Sequence, residues 1–95
     1  MAIRSFKDRD VEAFFFKGSR SRKKGWDSAR EIVKRKLDML HYAKGLKDLQ
    51  SPPAKRLERL RGDLIGLYSI RINDQWRIVF GWDNQPYDVR IVDYH

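Results

Sequence analysis

"GLYSIRINDQWRIVFGWDNQPYDVRIVDYH", residues 66–95, decides the fold. In "GLYSIRI" (66–72) apolar and polar residues alternate, the period of a half-buried strand. Asn73–Asp74 reads as a tight hairpin turn, because both residue types tolerate positive φ. "QWRIVFGW" (75–82) runs back, "DNQP" (83–86) turns again, and "YDVRIVDYH" (87–95) is the final strand. Three consecutive strands joined by turns this short must be antiparallel. Side chains alternate across a strand. Trp76, Ile78, Phe80 and Trp82 therefore share one face, and Arg77, Val79 and Gly81 the other. In the last strand Val89, Ile91, Asp93 and His95 fall together, opposite Arg90, Val92 and Tyr94.

Upstream, the same period is expected in "KRLERL" (55–60), followed by "RGD" (61–63) as a plain turn. "SPP" (51–53) forbids regular structure, and Leu46 and Leu49 before it are candidate core plugs. A helix is expected from Asp27 or Ser28, as N-cap, to about Ala43, since Ala29, Ile32, Val33, Leu37 and Leu40 follow the helical period. Gly45 can end it. A shorter helix fits "DRDVEAFFFKG" (8–18): Asp8 as N-cap, acids in the first turn, Lys17 in the last and Gly18 as the stop. "AIRSF" (2–6) reads as a first strand. Strand, two helices and an antiparallel meander make an α+β fold, with the helices packed on one face of the sheet.

Ninety-five residues suit a single domain spanning 1–95. Hydrophobic residues make up 41%, enough for a small globular core rather than a disordered chain. With no cysteine, disulfides and thiolate metal sites are excluded. Charges interrupt the N-terminus too often for a secretory signal, and no stretch has the length of a membrane span. The cytoplasm is the expected location.

Lys and Arg number 21 against 13 acids, a net charge of +8. Residues 1–50 hold 14 cations and 7 acids; residues 51–95 hold 7 and 6. Such an excess implies a polyanionic partner: nucleic acid, an anionic surface or an acidic protein. Lys17, Arg20, Arg22, Lys23 and Lys24 lie in one acid-free loop, and Arg30 and Lys34 follow on the second helix. As a group they suit phosphate contacts; the plainer reading of such a run is a solvated turn. Arg56, Arg59 and Arg61 add a cationic floor around Glu58, where the alternative is surface salt bridging of small energetic value.

Arg77 is the odd residue of an apolar strand. It is either on a solvent face, or paired with Asp93, or a phosphate clamp. As a clamp, it should be removable without loss of the fold. Asp93 and His95 are same-face neighbours, so the carboxylate is placed to orient or charge-stabilise the imidazole. His41, at the tail of the second helix, suits a structural role. There is no nucleotide-binding loop and no metal-ligand cluster. Metal-free RNA cleavage needs only what remains, because RNA carries its own nucleophile in the 2′-OH. The protein must move two protons and stabilise a negative phosphorane.

"LRGDLIGLYSIRINDQWRIVFGW" with the terminal "IVDYH" is similar to the HigB branch of the RelE/ParE toxin superfamily. "IRSF" and the helix pair fit as well, so the resemblance covers nearly the whole chain. It implies a type II toxin that binds the ribosomal A site and cuts mRNA during translation, without metal or other cofactor. The implied partners are a HigA-like helix-turn-helix antitoxin and the ribosome with its rRNA and mRNA. Operator DNA would be met only through the toxin–antitoxin complex. The family's active residues fall on Asp93, Tyr94 and His95, and its phosphate-contacting arginine on Arg77. One departure is that some members carry a histidine before the "KGD"-type turn, where this chain has Glu58. That leaves three alternatives: Glu58 is the base, Tyr94 and His95 suffice, or the activity is attenuated. ParE-type relatives share the fold but act on DNA gyrase, a use with no need for a terminal "DYH". A plain nucleic-acid-binding module would satisfy the charge alone.

Overall fold

The computed structural model describes residues 3–18, 25–50, 58–59 and 66–93, with the backbone only at 58–59. Helix α1 spans Arg9–Lys17, a 3₁₀ turn spans Gly25–Ala29, α2 spans Arg30–Tyr42 and α3 spans Lys47–Gln50. Strands β1 (Glu58–Arg59), β2 (Leu67–Arg71), β3 (Trp76–Trp82) and β4 (Pro86–Asp93) form a sheet in that order, each pair antiparallel. The α+β class expected from the sequence is the class observed. Among the described residues no helix is long and apolar enough to cross a membrane.

α1 begins and ends as its sequence dictates. The Asp8 side chain accepts from the backbone N–H of Asp10 (2.9 Å), satisfying a donor that the first turn leaves orphaned. Gly18 closes the helix in the left-handed region (φ 68°), where a Cβ is disfavoured. α2 starts differently from expectation. Neither Asp27 nor Ser28 caps it; Ala29 holds the N-cap position with no side-chain bond. The 3₁₀ turn is the reason: its tighter winding carries the Ser28 hydroxyl back to the Gly25 carbonyl (3.1 Å). α2 ends at Tyr42, where Ala43 turns extended, three residues before Gly45.

The residues expected as the first strand make a single parallel bridge, Phe6 to Val89. Arg4 N–H donates to Pro86 O, Val89 N–H to Ser5 O and Lys7 N–H to Val89 O. The ladder goes no further, and the Asp88 N–H is held by the Ser5 hydroxyl (2.9 Å). Asp88 is also the extra residue of a β-bulge. Val79 pairs with Arg90 but Gly81 with Tyr87, and Asp88 absorbs the shift at φ 51°.

The core lies between the helices and one sheet face. Val11 and Phe14 of α1, Trp26, and Val33, Leu37 and Leu40 of α2 meet Ile70, Ile78, Phe80, Val89 and Ile91. Leu49 is fully buried among them and Leu46 packs at the margin, so both expected plugs are in place. His41 is structural in an unexpected way. Its Nδ1 accepts from the Ile3 backbone N–H (3.2 Å). The bond ties the N-terminal segment to the end of α2.

Candidate functional site

The β2–β3 hairpin tip and the end of β4 meet at one end of the sheet, where Trp76 pairs with Asp93 and Arg77 with Val92. The turn is not the two-residue type expected, since neither Asn73 nor Asp74 has positive φ. Instead the Asn73 side chain accepts from the backbone N–H groups of Gln75 and Trp76, both at 2.9 Å. Arg71 pairs with Asp74 and donates from Nε to the Asn73 carbonyl (3.2 Å). Gln75 Nε2 reaches across to Asp93 Oδ2 (3.1 Å). Behind the tip, Gly25 lies against the Trp76 indole so closely that a Cβ would sit 2.5 Å from Cζ2. The end of the basic loop is thereby pressed onto the start of β3.

Arg77 occupies the sheet face away from the helices, and only 7% of it is exposed. Its Nε donates to the Ser69 hydroxyl at 2.8 Å, and Ser69 is fully buried. That corrects the solvent-face reading. Asp93 lies one position on, opposite Trp76, so alternation sets it on the other face from Arg77. On the Arg77 face the register sets Arg71 directly opposite Arg77, and Arg90 opposite Val79. Like charges directly opposite repel; the Asp74 carboxylate draws off Arg71, and Arg90 bonds the Asp88 carbonyl (3.0 Å). The result is a basic sheet face with its guanidinium groups anchored.

Glu58 pairs in the backbone with Ser69, so it stands in the cross-strand row Glu58, Ser69, Val79, Arg90, beside the strand position that bonds Arg77. Arg59 pairs with Tyr68. The helix-layer cations are elsewhere. Arg30 donates to the Gly18 carbonyl (3.3 Å) and stacks over Phe14; Lys34 pairs with Asp38 (2.7 Å) and sits over Phe15. With Phe14, Gly18 and Glu31 they line an open cavity of about 350 Å³. Lys17 closes α1 nearby. Tyr94, His95, Arg20, Arg22, Lys23, Lys24, Arg56 and Arg61 lie outside the described residues. Among those described, no three His, Cys, Asp or Glu converge as metal ligands.

Sequence reasoning missed Ser69, Gln75, Arg71 and Arg90. A signal for two of them was available: once Arg77 and Asp93 are suspected, counting back through the hairpin brings Ser69 and Gln75 beside them.

A model of the HigB-like toxin family, described as RelE-like toxin of type II toxin-antitoxin system HigB, matches residues 4–95. The chain belongs to the HigB-like toxin family. Toxin HigB-1 of Vibrio cholerae is 40% identical over 77 residues, covering 81% of this chain and 80% of that protein. An uncharacterized protein of Haemophilus influenzae is 37% identical over 65 residues, 68% and 64% of the two chains. Among solved structures, the YoeB-YefM complex from Staphylococcus aureus superposes with a TM-score of 0.57 at 23% identity, covering 100% of this chain and 97% of that one. The YoeB/ParE toxin from Agrobacterium tumefaciens gives 0.52 at 17%, covering both chains fully. At those identities the fold is what is shared. As a HigB-like toxin, the protein is one half of a type II toxin–antitoxin system, and an antitoxin is its partner.

Proposed function

We propose that this HigB-like toxin is a ribosome-dependent, metal-independent mRNA endoribonuclease of the cytoplasm, a single domain over residues 1–95, neutralised by a HigA-like antitoxin. The observation that carries the reading is the family match through residue 95, which takes in Asp93, Tyr94 and His95; of these Asp93 pairs with Trp76, next to Arg77 in β3. The reaction is an in-line displacement on the RNA itself. The 2′-oxygen bonds to phosphorus as Glu58 takes its proton, or as Tyr94 and His95 share that task. The bond to the 5′-oxygen breaks, and His95 protonates that leaving oxygen. Arg77 faces the charge that develops on the phosphorane, a duty suited to a guanidinium fork in a low-dielectric setting. Asp93 favours the protonated imidazole, and Tyr94 places the nucleotide. Because the 2′-OH is the nucleophile, no metal-activated water is needed. Lys17, Arg20, Arg22, Lys23, Lys24, Arg30 and Lys34 hold rRNA at a distance from the chemistry, while Arg56, Arg59 and Arg61 flank the mRNA.

The test is induced expression followed by primer extension on cellular mRNA. Translation-dependent cuts within codons, leaving the 2′,3′-cyclic phosphate ends that attack by the 2′-oxygen produces, support the proposal. Growth arrest with intact mRNA and broken DNA overturns it in favour of a gyrase-directed, ParE-like toxin.

A further inference from the structure

The stretch from Ser69 to Arg77 binds its own polar side chains in an ordered way. Asn73 ties the backbone of Gln75 and Trp76 to the turn, and Arg71 ties Asp74 and the Asn73 carbonyl. Two bonds instead leave the tip for the residues to which a role in cleavage is given above. Ser69 accepts from Arg77 Nε, and Gln75 donates to Asp93 Oδ2. We propose that the β2–β3 hairpin is a positioning device for the reaction, in which Ser69 sets the guanidinium of Arg77 and Gln75 sets the carboxylate of Asp93. The proposal rests on the catalytic reading of Arg77 and Asp93.

The chemistry of the two partners suits that task. A bond at Nε fixes the plane of the guanidinium, and with it the direction of the fork at its far end. Ser69 is neutral, so it orients the group without itself cancelling charge. Gln75 offers a neutral donor to one oxygen of the carboxylate, and its amide does not titrate. Reacting groups held to within a fraction of an ångström by a supporting shell are what a catalytic constellation requires. The two bonds also differ usefully: the Ser69 pair is buried and the Gln75 pair exposed. Asn73 makes the second bond geometrically possible, since it fixes the backbone from which the Gln75 side chain starts.

The experiment is single-turnover cleavage of mRNA on programmed ribosomes by the full chain, with ribosome binding and thermal midpoint measured for each variant. Gln75→Ala should slow cleavage about fivefold with ribosome binding and thermal midpoint unchanged, and should cost nothing further in an Asp93→Ala background. Gln75→Glu should be slower than Gln75→Ala, because a carboxylate repels Asp93 where an amide attracted it. Ser69→Ala should slow cleavage about tenfold and add nothing in an Arg77→Ala background, compared at a temperature where all are folded. Wild-type cleavage by Gln75→Ala and Ser69→Ala beside slow Asp93→Ala and Arg77→Ala overturns the positioning role alone. Losses that multiply in the double variants overturn it too. Wild-type cleavage by Asp93→Ala and Arg77→Ala overturns the catalytic reading itself, and the positioning role falls with it.

Discussion

Arg77→Ala tests fold and chemistry together, because the residue is buried in the sheet and is proposed to face the scissile phosphate. On sequence grounds a phosphate clamp should be removable without unfolding the domain. The burial of Arg77 and of its partner Ser69 changes that expectation. Truncation leaves a buried hydroxyl without its donor, which costs about 1–3 kcal/mol. It also removes the aliphatic stem from a packed sheet face, adding about 1 kcal/mol. A loss of about 2–4 kcal/mol follows, against a total stability of about 5–14 kcal/mol for a domain of this length. At about 4–8 °C per kcal/mol the melting midpoint should fall by roughly 8–32 °C. The variant should therefore remain largely folded at 25 °C, unless the protein sits at the low end of that range. There its cleavage of ribosome-bound mRNA should be slower by about 10²–10³-fold, the range for one preorganised electrostatic contact. Arg77→Lys should recover part of the rate but not the Nε bond. Circular dichroism melts and single-turnover cleavage on the same preparation read both effects. A midpoint within about 3 °C of wild type would refute the burial argument, and a folded variant cutting at the wild-type rate would refute the phosphate role.

His95→Gln should abolish mRNA cleavage and growth arrest while leaving the melting midpoint and ribosome binding near wild type; residual growth arrest at full strength would remove His95 from the mechanism. Neutralising Lys17, Lys23 and Lys24 together should weaken ribosome binding and flatten its salt dependence by roughly one unit of slope per lost phosphate contact, and an unchanged slope would show that these cations do not touch RNA. Asp8→Ala removes the N-cap of α1 and should cost about 1 kcal/mol, read as a drop of about 4–8 °C in the melting midpoint with no change in cleavage rate at 25 °C.

The meander was legible because its signals are local. Alternation located three strands and sorted Trp76, Ile78 and Phe80 onto the face that Val89 and Ile91 share in the structure. The ends of α1 were legible for the same reason, as a cap bond and a left-handed glycine depend on neighbours in the chain. What escaped depends on distant partners. The N-terminal segment meets β4 in one bridge beside the bulge at Asp88, and nothing near residue 5 announces it. The 3₁₀ turn that displaces the cap of α2 sets Gly25 against Trp76, a contact across the domain. Periodicity set Arg77 on the right face but could not show that this face is buried, because alternation reports orientation and not coverage. The expected site divides in the same way: family residues are found by motif, whereas Ser69 and Gln75 emerge only once strands are paired residue by residue.

The bonds between residues 4–7 and β4 join parts of the chain more than 80 positions apart. β4 leaves the ribosome after every other element described here, so until then neither the N-terminal segment nor α1 has its sheet neighbour. Closing so long a loop comes late and slows folding, since its entropy is spent before any contact rewards it. During its own synthesis the nascent chain is thus held short of its native form, and the fold of the toxin cannot close before the message that encodes β4 has been read.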